Sequence, residues 1–186
     1  MRDEWTVLGQ RDEVEERLTV RRVWLRGAAT GRAALVLSFA APGQALSADL
    51  VVGTTVDADL CFYPGRTQLR AVVANRHAAP TPTEDGPAGE PSVRQALARL
   101  AEALAGEPWL ERWPLVLTDV TPAADHRGRW HLRDGEGDAL ALDPTGGAPW
   151  RLIAAIGGAP ATIAAEWGPA GLLPLTAWID GRMVRA

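Results

Sequence analysis

The chain has 186 residues, a net charge of −4 and 23% charged residues, long enough for a folded form to bury roughly 70% of the surface its unfolded form exposes. All 19 of its Lys+Arg residues are arginine and it has one cysteine, which excludes lysine-dependent catalysis, an internal disulfide and a self-contained multi-cysteine zinc site. The longest apolar run, Ala33 to Ala41 broken by Ser38, is far short of the ~20 residues a membrane span needs, and no apolar stretch follows Met1-Arg2-Asp3-Glu4-Trp5, so a cytoplasmic protein is expected.

Five segments in the first half have strand character: Trp5–Leu8, Arg17–Leu25, Arg32–Ala40, Thr55–Tyr63 and Gln68–Arg76. Gly27, Gly31, Pro42-Gly43, Gly53 and Pro64-Gly65 separate them like the turns of an antiparallel meander. Within Arg17–Leu25 the apolar set slips from Leu18 and Val20 to Val23 and Leu25 across Arg21-Arg22. A β-bulge there reconciles the two halves; alternatively Leu18, Val20 and Trp24 share one face and Arg22 is partly buried or at an edge.

Residues 78–91, AAPTPTEDGPAGEP, carry four prolines and three acids and read as an exposed loop or linker. They separate a β-rich half, residues 1–77, from residues 92–186, and the two halves are expected to pack as one globular unit. Ser92 followed by Gln95 forms a capping box, Val93, Leu97, Leu100 and Leu104 recur at helical spacing, and Gly106 stops the pattern, which places the main helix near 92–105. Trp109 and Trp113 flank a further turn and are expected in the core; Leu115–Val120 resumes as a strand. Trp130 and Leu132, the DGEGD turn at 134–138, and Leu140 and Leu142 read as a hairpin. Pro149–Ile156, Thr162–Trp167 and Leu172–Ile179 continue the strand rhythm, with a last short return after Asp180-Gly181. No exact internal repeat is visible. The fold class is mainly β (α+β): an antiparallel meander forming a barrel-like or sandwich fold, with one main helix.

No catalytic or metal-binding constellation emerges, and no cofactor is implied. Asp57 and Asp59 share a strand face, as does an ordinary solvent-facing pair. Asp134, Glu136 and Asp138 imitate the start of a calcium loop, but its glycine position is Ala139 and its twelfth position Thr145. His126, His131, His77 and Cys61 have no ligand spacing, Cys61 reads as a structural thiol, and Ser38, Ser47 and Ser92 lie outside any G-x-S-x-G elbow. Charge is uneven: residues 1–16 hold two Arg against six acids, 17–77 eight against three, and 78–186 nine against fourteen. The basic middle, with Arg21, Arg22, Trp24 and Arg26, is the candidate contact surface for an anionic partner, nucleic acid included.

The stretches RLTVRRVWLRG, ALVLSFAAPGQAL, VDADLCFYPG and AAEWGPAGLLPLTAWIDG resemble the region C-terminal to the zinc finger in bacterial, actinobacterial-type SWIM zinc-finger proteins, over most of the chain. The zinc module itself is absent, since one cysteine cannot supply its C-x-C…C-x-H ligands. The resemblance implies a non-catalytic accessory role that binds a protein partner, in the company of an AAA+ ATPase system. It carries over no site residue. The rival readings are a nucleic-acid-binding module and a hydrolase or metal-dependent enzyme built from Asp57, Asp59 and the histidines.

Overall fold

In the computed structural model, which describes residues 1–186, every strand segment expected in the first half is a strand: β1 (Arg2–Glu15), β2 (Leu18–Gly27), β3 (Ala33–Ala40), β4 (Thr54–Phe62) and β5 (Arg70–Arg76), followed by the two-residue β6 (Thr81–Pro82). The molecule is mainly β, with two six-stranded sheets, and it divides into two compact units, Met1–Thr83 and Glu84–Ala186. No helix is long and apolar enough to cross a membrane.

In the first unit β1, β2 and β3 form the expected antiparallel meander, and then the order changes. β5 inserts between β3 and β4, pairing parallel to β3 at Leu35↔Arg70 and Val36↔Ala71 and antiparallel to β4. β4 in turn pairs with the start of β1, from Arg2↔Asp59 to Thr6↔Thr55. The sheet therefore runs β1-β2-β3-β5-β4 and returns to β1, a closed ring that leaves no long free edge. Period-two alternation aims Trp5, Val7, Val23, Leu25, Ala34, Val56, Ala58, Leu60 and Ala71 inward, and Leu50 and Val52 from the β3–β4 connection join them. The Trp5 indole, wholly buried, donates to the Ala58 carbonyl at 3.1 Å.

The irregularity in this barrel lies in β1, not at Arg21-Arg22. The β1–β2 register shifts between Val7 and Gly9, whereas β2 pairs with β3 without interruption from Thr19↔Ala40 to Arg26↔Ala33. Val20, Arg22 and Trp24 thus share one face of β2 and Val23 and Leu25 the other, the second of the two sequence readings. The β2–β3 turn is fixed by the buried Asp3, whose carboxylate accepts from the Ala29 and Thr30 backbone N–H groups and the Thr30 hydroxyl. Burial alone pushes this carboxyl up, but the hydrogen bonds together outweigh it and hold it below the usual range. Gly27 is required here, because a Cβ would stand 2.3 Å from an Asp3 carboxylate oxygen.

The second unit comprises α1 (Val93–Gly106), β7 (Trp113–Ala124), β8 (Trp130–Arg133), β9 (Ala139–Ala141), α2 (Trp150–Ile156), β10 (Ala161–Gly168), β11 (Gly171–Ile179) and β12 (Arg182–Arg185). β7 pairs with both β8 and β10, β8 with β9, and β10 with β11, all antiparallel. The chain leaving β9 meets β11 in a parallel bridge, Leu142↔Leu172, with Asp143 N–H donating to the Leu172 carbonyl at 2.8 Å. The ring is β7-β8-β9-β11-β10-β7: first strand paired with second and fourth, third parallel to fifth, as in the first unit. The two halves are thus five-stranded Greek-key barrels of one connectivity, that of OB-type barrels. At Gly171, where β9 and β11 meet, a Cβ would approach the Asp143 nitrogen to 2.8 Å, so glycine is what lets the second ring close.

The helices fill this second core. Ser92 caps α1 by accepting from Gln95 N–H, as the sequence predicts. Its buried stripe is Val93, Ala96, Leu100 and Ala103, with Leu97 exposed. The small alanines let the helix approach closely, so the stripe is rotated from the one the leucines suggest. Asp134, the first residue of the DGEGD turn, accepts from Val93 N–H at 2.9 Å and from the Glu136 and Asp138 N–H groups. The supposed calcium ligand therefore ties the hairpin to the start of α1, and these donors hold its carboxyl below the ordinary value. Pro149–Ile156, expected as a strand, is α2: Leu152 and Ile156, four apart, are buried, and Gly157 ends the helix at φ 60°. Trp109 is 90% exposed, not in the core, while Trp113 packs against it.

Replacing Trp5 by Ala removes a fully buried indole from the first barrel and is expected to cost about 3–5 kcal/mol in denaturant unfolding. Trp109→Ala is expected to fall within about 0.5 kcal/mol of the parent chain.

Candidate functional site

The basic surface expected on β2 is largely neutralised by β1. The ladder sets Asp12 opposite Arg21, and Arg21 Nε and Nη2 each reach the Asp12 carboxylate at 2.7 Å while Nη1 donates to the Ser47 carbonyl. Arg22 pairs with Glu13 and, at 2.6 Å, with Glu15. The Arg21 guanidinium holds the Asp12 carboxyl below its usual range. Trp24 is fully buried and offers no ring for stacking, and Arg26, half-buried on the same strand, also has a partner. The acidic residues 1–16 and the basic strand that follows are thus two sides of one ladder.

Asp57 and Asp59 share a face of β4, as their spacing predicts, and both carboxylates are engaged, one in an ion pair and the other in a hydrogen bond. Arg2 grips Asp57 with two bonds of 2.9 and 2.7 Å, and His77 Nε2 lies 2.7 Å from Asp59 Oδ2. His126 and His131 belong to the second unit, where His131 Nδ1 faces the Arg129 carbonyl at 3.0 Å. Cys61 is exposed on β4, and Ser92 serves as a helix cap. No group of three or more His, Cys, Asp or Glu side chains is placed to hold a metal ion.

The site that sequence reasoning missed lies at the loop end of the second barrel. There the β7–β8 turn, the start of β8, the segment after β9 and the β10–β11 turn surround a cleft of about 500 Å³, which includes Gly128, Arg129, Trp130, Asp143 and Ala170. A second cleft of about 210 Å³ adjoins it, reaching Pro149, Trp150 and Pro174, and the two share Leu142, Asp143, Gly147 and Ala148. Trp130 and Trp150 meet edge to face with ring centroids 5.5 Å apart, an arrangement the ring quadrupoles favour. Trp150 nevertheless keeps 66% of its surface exposed. The cleft touches the loops after the first and fourth strands of the barrel and the ends of β8 and β9, while Leu142, Asp143, Pro144, Gly147 and Ala148 of its lining come from the connection after the third strand.

The carboxylates at its rim are committed to structure. Asp125 Oδ1 accepts from Arg127 and Arg129 N–H, and Oδ2 from Arg129 Nε. The Arg129 backbone N–H, its guanidinium and the Arg127 N–H hold the Asp125 carboxyl down at about 2. Asp143 caps the short 3-10 turn Pro144–Gly146 by accepting from the N–H and hydroxyl of Thr145. The available signal was the DPTGGAPW segment, an Asx cap and a Gly-Gly pair ahead of an exposed tryptophan; a strand reading of residues 149–156 hid it. Comparison with protein-family models, curated proteins and solved structures finds no match to this chain.

A carboxyl titration by NMR is expected to show Asp125 ionising near pH 2. Because its folded pKa lies below the unfolded value, its contribution to the β7–β8 turn is complete above about pH 4 and is lost as pH falls through 2. Asp125→Asn is expected to raise amide exchange at residues 126–129 at neutral pH.

Proposed function

We propose that this chain is a non-catalytic accessory module that binds a protein partner at the loop end of its second barrel. The observation that carries the reading is the cleft bordered by Trp130 and Trp150: it is roomy, open and partly aromatic, and its rim carboxylates are locked into turns instead of being poised as an acid and a base. Aromatic side chains that remain exposed beside a preformed cleft are the usual anchors of recognition surfaces. A partner-binding role is also what the resemblance to the companion region of SWIM zinc-finger proteins implies, and an AAA+ ATPase system is the first partner to test.

The nucleic-acid reading centred on Arg21, Arg22, Trp24 and Arg26 has less support, because two of its cations are ion-paired and its ring is buried. The enzyme reading built on Asp57, Asp59 and the histidines has less support again: Asp57 is held in an ion pair with Arg2 and Asp59 in a hydrogen bond with His77, and His126 and His131 lie in the other unit.

A pull-down from the native host is expected to recover a protein partner, and hydrogen exchange of the complex to protect residues 128–148. Turnover of a substrate without recovery of any partner overturns the reading. The double variant Arg21→Ala, Arg22→Ala is expected to leave retention on immobilised oligonucleotides unchanged; salt-sensitive retention that this variant abolishes supports the nucleic-acid reading instead.

A further inference from the structure

The acids of β1 cancel only part of the basic middle of the chain. Residues 27–48 and 60–83, which supply β3 and β5 with their flanks, hold Arg32, Arg66, Arg70 and Arg76 and no Asp or Glu. None of these four meets a carboxylate. Arg32 donates to Gln68 Oε1 at 2.7 Å in the β4–β5 turn, and Arg76 donates to the Asp49 carbonyl at 2.9 Å. The Arg70 guanidinium lies over the Tyr63 ring, 5.2 Å from its centroid, and Arg66 is exposed in the β4–β5 turn. The acids of β4, Asp57 and Asp59, are taken up by Arg2 and His77.

The same strands carry apolar side chains on the outside of the barrel. Alternation that sends Ala34, Leu60 and Ala71 into the core turns Leu37 and Phe39 of β3, Cys61 of β4 and Val72 of β5 outward. The ladder sets Cys61 opposite Val72, and Tyr63 N–H donates to the Arg70 carbonyl at 2.9 Å, so ring and cation are neighbours across β4 and β5. Phe39 is 55%, Tyr63 50% and Val72 41% exposed, and Cys61 is exposed as well. Apolar side chains grouped on an outer face in this way mark an interaction site.

We propose that the outer face of β3, β5 and β4 docks an acidic segment of a partner protein that carries aromatic or aliphatic residues among its carboxylates. A guanidinium fork takes a carboxylate with two parallel hydrogen bonds, and Arg70 uses none of its side-chain N–H groups within the chain. The apolar residues of the segment cover Phe39, Val72 and Cys61, which carboxylates alone leave wet. A polynucleotide fits this face less well. Aliphatic side chains give bases no ring to stack on, and the tyrosine at the face already holds a guanidinium. The surface lies within the first unit, so it adds a second contact to the reading above and stands without it.

The test uses the full 186-residue chain, whose one cysteine is Cys61, so its rate of reaction with N-ethylmaleimide reports on this face alone. The probe is a fluorescein-labelled peptide, DELFDELFDE, with DEGSDEGSDE as a control of equal charge. Saturable binding of the first peptide by fluorescence anisotropy is expected, with severalfold slower modification of Cys61 in its presence. The control should bind weaker by about tenfold or more. The double variant Arg66→Ser, Arg70→Ser should weaken binding by about tenfold or more, and Val72→Ser severalfold, with the circular dichroism spectrum unchanged in both. No binding, equal affinity for the two peptides, binding that leaves the Cys61 rate unchanged, or equal affinity of the parent chain and both variants overturns the proposal. Saturable binding of oligo(dT) that the double arginine variant abolishes, without peptide binding, also overturns it and assigns the face to nucleic acid.

Discussion

Each half of this protein depends on a contact between strands distant in sequence: the parallel pairing of the third strand of a barrel with its fifth. Leu35 and Val36 meet Arg70 and Ala71 in the first barrel, and Leu142 meets Leu172 in the second. Together with the pairing of the fourth strand against the first, that contact closes the ring and leaves few unpaired strand edges. Both closures are short, and each sits near a position that tolerates no side chain or spares a buried carboxylate: Gly171 in one barrel, and Gly27 against Asp3 in the other. Closing such rings brings together residues far apart in sequence, which is entropically costly before the core rewards it. The reward is a filled interior, from Trp5 and Leu60 in one unit to Leu117 and Ile163 in the other.

The barrels share a connectivity but not a plug. Between third and fourth strands the first unit places a loop that contributes Leu50 and Val52, and the second places α2, which contributes Leu152 and Ile156. Their surfaces diverge as well. On the first, arginines and acids face each other across β1 and β2 and largely cancel. On the second, the segment between the third strand and the helix carries a capped turn and two glycines and leads into Trp150 at the start of α2, and two adjoining clefts open there. The proposed binding site rests on that local elaboration more than on the barrel that supports it.

Much of the local structure was legible. The five strand segments of the first unit, the Ser92 cap of α1, the hairpin around the DGEGD turn and the strands near 162–167 and 172–179 all follow from alternation, capping and turn chemistry that act over a few residues. The candidate site was not. Trp24 sits in an arginine-rich strand and reads either as part of a contact surface or as a packed ring, and both faces of β2 are covered at that point. Trp109 reads as core and is exposed. Asp134 reads as a failed calcium ligand and is the anchor for a helix that begins 41 residues earlier. In each case the deciding neighbour comes from another element, and periodicity along one element carries no information about it.

The sequence by itself therefore determined the β-rich class, the main helix and the exclusion of lysine, disulfide and multi-cysteine chemistry, because propensity, pattern and composition are properties of the local chain. Only the tertiary structure decided that the meander becomes two closed rings of one connectivity, that the β2 arginines are ion-paired, that α1 buries its alanines, and that Trp130 and Trp150 meet beside two adjoining clefts. Each of those outcomes depends on which distant backbone groups pair and how closely they approach. Parallel pairing across more than 25 residues and steric limits of 2 to 3 Å at Gly27 and Gly171 are set by the assembled fold, not by the order of residues within one strand.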